Sequence, residues 1–261
     1  GVGPAAIEMG LAPVKDGETE IAILATNTGA KVLSTVQTPG GVVSYEGETE
    51  IDGVPGAAAP VTLKFMDTVG GVTGAFLPTG NLIDEIDGVR VTCMDVAMPM
   101  VVAEAASFGL SGYETAAELN DNRAFFDRME QIRLKAGVKM GMGDVAASVT
   151  PKFGLIAPPR DGGTTAARYF MPWKTHPTMA VTGAQCLASC VLTPGTVADY
   201  PTPNERPALV VLEHPSGKID VLVDFENGAD GFVVKSAGLV RTARKLASGE
   251  VYVPRQVWSG N

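Results

Sequence analysis

Residues 168–191 read RYFMPWKTHPTMAVTGAQCLASCV, and this stretch decides the fold. It opens within a β-like run, 167–170, and ends on GAQCLASCV, 183–191, which Pro194-Gly195 terminates. The closing segment starts with small residues and is apolar throughout. A helix without a polar face has nothing to offer water, so it is read as buried and wrapped by a sheet.

Outward from there, the opening residues 1–11 repeat the theme. Ala5, Ile7, Met9 and Leu11 are good helix formers, and Gly10 and Pro13 end the run. Residues 20–26 (EIAILAT) and 31–38 (KVLSTVQT) are rich in β-branched residues, with the hairpin-type turn Asn27-Thr28-Gly29-Ala30 between them. Further strands are expected at 42–45, 61–65, 72–77, 89–94, 153–157, 167–170, 208–212 and 219–225. Residues 122–136 carry the clearest helical period: Phe125, Phe126, Met129, Ile132 and Ala136 share a face, Asp121 or Asn122 can cap the start, and Gly137 can close it. The tail reads as helical at 242–247 and extended at 251–254. Strand runs followed by isolated helices indicate an α+β architecture rather than alternating βαβ units. The expected halves are residues 1–88, joined by a return of 236–261, and residues 89–235.

Composition excludes several classes. With 29 acidic against 20 basic residues the formal charge is −9, which argues against nucleic acid. No apolar run reaches the roughly 18 residues that span a bilayer, and no basic-then-apolar opening marks a signal peptide. Three cysteines, Cys93, Cys186 and Cys190, suit neither a disulfide framework nor a zinc site, and read as reduced cytoplasmic thiols. Cys186 and Cys190 share a helix face and read as packed thiols rather than nucleophiles.

Against the acidic whole, the window 145–198 holds Lys152, Arg160, Arg168 and Lys174 with Asp161 as its only acid. It reads either as ordinary charge fluctuation or as a local anion site. Thr182-Gly183-Ala184 opens the buried helix there, either as a plain cap or as an N–H cradle for a carboxylate or oxyanion. Lys152, just ahead of an apolar strand, is a solvated strand end or, pointing inward beside Arg168, a carboxylate binder or a desolvated base. His176 is a structural hydrogen-bond partner, a carboxylate donor or a proton carrier. Thr79-Gly80, in LPTGN at 77–81, is an ordinary turn or a loop lining a cleft.

Seven segments together resemble the 2-methylaconitate isomerase family: IDGVPGAAAPVTLKF (51–65), TGAFLPTGN (73–81), CMDVAMPMV (93–101), MEQIRLKAGVKMGMGDV (129–145), PKFGLIAPP (151–159), RYFMPWKTHPTMAVTGA (168–184) and RTARKLASGEVYVP (241–254). They cover nearly the whole chain in the family's order. The resemblance implies a diaminopimelate-epimerase-like fold, two similar halves, each a curved mixed sheet around a central helix. It implies a homodimer and proton transfer at carbon without metal or organic cofactor. The substrate would be an unsaturated tricarboxylate, 4-oxalomesaconate from lignin or gallate breakdown ahead of 2-methylaconitate. Thr182, Gly183, Ala184, Arg168, Thr79, Gly80 and the strand starts Met98-Pro99 and Pro151-Lys152 would line the site. The family carries a Cys-Gly-Asn motif directly ahead of a GVGP helix, and a lysine still earlier, as acid–base residues. Because this sequence opens at Gly1-Val2-Gly3-Pro4, the expectation is a first half truncated at its N-terminus. Its principal acid–base residues then precede Gly1, and Lys152 and His176 are the candidates within the chain. The alternative from another class is a non-catalytic binding subunit.

Overall fold

A computed structural model describes residues 1–26, 29–228 and 231–259. It is an α+β structure with one eleven-stranded sheet in the order β1-β2-β3-β11-β10-β9-β8-β7-β6-β5-β4. The strands are β1 (Gly17–Leu24), β2 (Lys31–Thr38), β3 (Pro60–Met66), β4 (Asp84–Ile86), β5 (Val89–Val96), β6 (Met98–Glu104), β7 (Lys152–Ala157), β8 (Thr165–Phe170), β9 (Ala208–His214), β10 (Gly217–Gly228) and β11 (Gly231–Thr242). All neighbours are antiparallel except β6–β7 and β8–β9, so the sheet is mixed. The helices are α1 (Val2–Glu8), α2 (Ala116–Asp121), α3 (Arg123–Lys139) and α4 (Val181–Leu192). No helix among the described residues is long and apolar enough to cross a membrane.

The quoted stretch becomes the centre of the molecule. Every residue of α4 from Gly183 to Leu192 is buried, and the helix touches the seven consecutive strands from β5 to β11. A mostly apolar segment requires such an envelope, and its buried polar side chains bond inside it, Gln185 Nε2 to Ala237 O at 3.0 Å and Ser189 Oγ to Gln185 O at 2.8 Å. Helix α3 packs on the other sheet face, burying Phe125, Phe126, Met129, Ile132 and Ala136 with Phe153, Leu155 and Phe170. Full burial of each of its large side chains contributes about 2 kcal/mol. Asn122 caps it through Phe125 N at 3.1 Å. The helix runs through Gly137 to Lys139, because Gly137 is where Val145 packs against the helix rather than where it stops. Helix α1 lies on β2, with Gly3 pressed against Ser34 and Val36.

Several expectations change. Asn27 and Thr28 of the hairpin turn lie outside the described residues, although β1 and β2 pair antiparallel around them, Leu24 opposite Lys31. Residues 42–45 are not a strand: Gly40 and Gly41, at φ 65° and 76°, swing the chain out after β2. Residues 72–77 form a loop, because the Asp95 carboxylate collects Val72 N, Thr73 N and Thr73 Oγ1 at 2.8–3.0 Å. The 242–247 segment is irregular rather than helical: Thr242 ends β11, Arg244 bonds Pro55 O and Ala57 O, and Lys245 pairs with Glu8. The proposed boundary at 235/236 falls inside β11, at a bulge where Asp224 faces Ser236 and Phe225 faces Val234. Strand β11 pairs with β10 on one side and β3 on the other, so the sheet is continuous across it.

Candidate active site at the start of helix α4

Sequence order scatters the candidate residues, and strand register gathers several of them around the first turn of α4. Side chains alternate across a sheet, so residues two apart share a face. Leu212, Ile219 and Leu239 belong to the α4 cluster, which places His214 at the end of β9 and Arg241 near the end of β11 on that same face. A Cβ at Gly154 would meet Leu187 of α4 at 2.9 Å, so Lys152, two residues earlier, faces the same way. Its register partner is Met100, two residues along β6 from Met98.

Tyr169, opposite Gly154, closes the ring. Its ring lies against Gly183, where a Cβ would sit 2.5 Å from Cε2. Its hydroxyl donates to Met98 Sδ at 3.2 Å, and Thr182 Oγ1 approaches the same sulfur at 3.6 Å. Burial pushes the Tyr169 phenol well above its usual value, which makes it a hydrogen-bond donor rather than a phenolate. Ala180, not Thr182, is the N-cap, and it supplies no side-chain cap. The N–H groups of Val181, Thr182 and Gly183 therefore remain at the positive end of the helix dipole.

Lys152 is half-buried, with no hydrogen bond or ion pair among the described residues. Burial lowers its pKa, and the Arg133 guanidinium adds to that. Arg133, fully buried on α3, holds the approach to Lys152 by donating to Ser148 O at 3.3 Å, Pro151 O at 3.4 Å and Val145 O at 3.1 Å. His176 packs edge-on to Tyr169, with ring centroids 5.8 Å apart. Thr178 N donates to its Nδ1 at 3.1 Å, which leaves the neutral ring's proton on Nε2. Burial lowers the His176 pKa as well, so at neutral pH the ring is uncharged. The uncapped amides can hold an anion, with the Lys152 amine on the same sheet face and the His176 imidazole against Tyr169.

Other candidates lie elsewhere. Arg168 is turned to the opposite face: it sits beside Leu155 of the α3 cluster and donates to Glu114 O at 2.7 Å, Ala167 O at 2.8 Å and Glu213 O at 3.3 Å. Burial lowers its pKa while Glu114 and Glu213 oppose that. Its guanidinium is committed to holding the chain together and is removed from the α4 start. Thr79 and Gly80 form a turn closed by Gly80 N to Leu77 O at 2.9 Å, with Thr79 Oγ1 accepting from Asn81 N at 3.3 Å. Leu77 and Leu82, on either side, line a groove with Thr193 and Pro194 at the far end of α4. The twelve-residue helix puts that end about 18 Å from its start. Pro99 is buried opposite Asp95 in the β5–β6 pair; Asp95 turns its own N and O to Phe76 and Gly70 of the loop, so no partner is deprived by the missing proline N–H. Cys186 and Cys190 are fully buried, with burial pushing the first thiol far up and the second to about 12. Neither behaves as a nucleophile.

Two residues at the mouth were not singled out from sequence, His214 and Arg241. The signal available was their position at the ends of strands whose alternate residues are apolar. They line a cleft of about 440 Å³ with Asp52, Thr178, Lys218 and Asp220, and Thr178 stands two residues ahead of the N-cap Ala180.

Compared with known proteins, residues 1–254 match the family model described as PrpF protein. The chain is 46% identical over 254 residues to the putative isomerase YbhH of Escherichia coli, covering 97% of this chain and 72% of that protein. It is 42% identical over 263 residues to 4-oxalomesaconate tautomerase of Pseudomonas putida, covering 100% of this chain and 72% of that protein. The crystal structure of methylitaconate-delta-isomerase superposes with a TM-score of 0.86 at 30% identity, over 100% of this chain and 73% of that one.

Proposed function

The chain belongs to the PrpF protein family and is an isomerase; on that premise we propose that it moves a proton between carbons of an unsaturated tricarboxylate, 4-oxalomesaconate ahead of 2-methylaconitate. The observation that carries this reading is the half-buried Lys152, without a partner among the described residues, on the same sheet face as the uncapped start of α4. The similarity to 4-oxalomesaconate tautomerase supports the choice of substrate.

In this reading the Lys152 amine takes a proton from the carbon next to the unsaturated system. The electron pair moves into the carbonyl oxygen, and the amides of Val181, Thr182 and Gly183 receive the resulting oxyanion. The lysine ammonium so formed returns the proton at the other carbon while the Nε2–H of neutral His176 donates a hydrogen bond to the substrate, so substrate and product differ only in where one hydrogen sits and the amine is regenerated. A lysine with a lowered pKa supplies more free amine at neutral pH than an exposed one, which is the state a base requires. The reading includes a cytoplasmic, cofactor-independent homodimer.

The test is the ultraviolet change on tautomerisation, followed with the 261-residue chain and with Lys152→Met. The parent's turnover of oxalomesaconate sets the reference, and the variant is expected to lose about 10²–10⁴-fold in kcat; a parent without turnover would take the principal acid–base role away from Lys152 and His176. Full activity in the variant would remove Lys152 from the chemistry. Turnover of 2-methylaconitate with oxalomesaconate untouched would reverse the substrate order, and tricarboxylate binding without turnover would favour a binding subunit.

A further inference from the structure

We propose that the cleft lined by Arg241 and His214 is a second carboxylate subsite beside the segment that leads into α4, and that it makes the site prefer dicarboxylates to monocarboxylates. This inference rests on the isomerase reading above and assigns it a specificity-determining residue.

Arg241 carries five N–H donors, and its one hydrogen bond among the described residues runs from Nη1 to Val240 O at 2.8 Å. It is only partly exposed and makes no ion pair within 4 Å among them, so the rest of its planar fork opens into the cleft. The neighbouring cation is already engaged: Lys218 Nζ meets Asp161 at 2.8 Å, and Lys218 N donates to Asp52 Oδ2 at 2.6 Å. The acids facing the cleft are Glu50, Asp52 and Asp220. Asp52 is held by Lys218 N, and Asp220 is desolvated and repelled by Asp52, which raises its pKa. Burial lowers the Arg241 pKa, with Asp220 opposing. A desolvated guanidinium without a bonded carboxylate is a ready partner for an incoming one, which it can hold through two parallel bonds.

His214 completes the lining. Ser216 N donates to its Nδ1 at 3.2 Å, and Ser216 Oγ donates to Pro177 O at 2.7 Å, tying the β9–β10 turn to the segment that leads into α4. Thr178, on that segment, is at most about 7 Å along the chain from the N-cap Ala180. A carboxylate at Arg241 and a second anionic oxygen at the helix amides, the oxyanion in the reaction or a second carboxylate in an unreactive probe, therefore fit a short diacid better than a monoacid.

The experiment measures binding of two unreactive probes, glutarate and butyrate, to the 261-residue chain by calorimetry, with thermal melts as a folding control. The parent is expected to bind glutarate at least about tenfold more tightly than butyrate. Arg241→Met should lower glutarate affinity to that of butyrate. Should Arg241→Met fail to fold, the exposed Thr178→Glu, which adds a negative charge to the same cleft, is expected to weaken glutarate selectively. A variant that keeps the parent's preference overturns the subsite alone. A parent that binds neither acid overturns the tricarboxylate reading and the subsite with it.

Discussion

Replacing Gly183 by alanine tests the packing that shapes the α4 start. On an isolated helix this change stabilises by about 1 kcal/mol, because glycine is the poorer helix former. Here the new methyl would lie 2.5, 2.9 and 3.0 Å from three carbons of the Tyr169 ring. That ring has little room to retreat: it stands over α4, its hydroxyl is bonded to Met98 Sδ, and His176 lies edge-on to it. Overpacking of this kind costs about 1–3 kcal/mol, so the net expectation is a loss of about 1 kcal/mol, a fall of roughly 2–4 °C in Tm for a chain of this size. Urea denaturation supplies the number. The double variant Gly183→Ala with Tyr169→Leu locates the cause, since the alanine should turn stabilising once the ring is gone. Displacing α4 or Tyr169 should also lower kcat/KM for oxalomesaconate. A Gly183→Ala chain about 1 kcal/mol more stable than the parent, with unchanged kinetics, would refute the reasoning.

Three further outcomes are expected. Glu213 accepts from the amides of Arg160, Asp161 and Gly163 at 2.7–2.8 Å; burial works to raise its pKa, but the amides outweigh it and the result lies below the usual 4.5. Its stabilising contribution is thus complete above that value and fades as pH falls through the lowered pKa, so Glu213→Gln should cost about 1–3 kcal/mol at pH 7 and narrow its gap to the parent in acid, read by urea midpoints against pH. Asp95→Ala should release the 67–76 loop, with the amides of Val72 and Thr73 losing hydrogen-exchange protection and stability falling by about 3 kcal/mol; retained protection would mean the carboxylate is not the anchor. Cys93, Cys186 and Cys190 are all fully buried, so an aromatic disulfide reagent should label none of the three in the native chain and all three in denaturant.

Where the chain carries its own local signal, the sequence was legible. The face of Phe125, Phe126, Met129, Ile132 and Ala136 is buried in full, and β2 occupies the residues its β-branched pattern indicates. The failures also have local causes. Helix α2 is only six residues long, and its mark was the capping box of Thr115 and Glu118. Strand β11 contains Lys235, Ser236, Ala237 and Gly238, a poor β pattern; Gly238 is there because β3 comes so close that a Cβ would run into Leu63 O. The 242–247 segment has helix-forming residues, yet its cations reach Pro55, Ala57 and Glu8, contacts no window of neighbouring residues contains.

The candidate site divides in the same way. Sequence pointed to the start of α4, to Lys152 and to His176, because a small-residue helix start, a lone lysine before a strand and a scarce histidine are visible in the residues themselves. It could not separate Lys152 from Arg168, which faces away because odd and even positions of paired strands point to opposite sides.

By itself, then, the sequence determined the α+β class, the buried helix with its small-residue start, and the family, because apolar periodicity and ordered motifs are properties of the linear chain. Only the tertiary structure decided which strand ends meet near that helix, bringing His214 and Arg241 into one cleft with Thr178, two residues ahead of its N-cap, and leaving Leu77 and Leu82, which flank Thr79 and Gly80, at its far end. Strand order and register are set by pairings between residues far apart in sequence, such as Leu63 with Leu239. One position along a strand reverses the face a side chain presents.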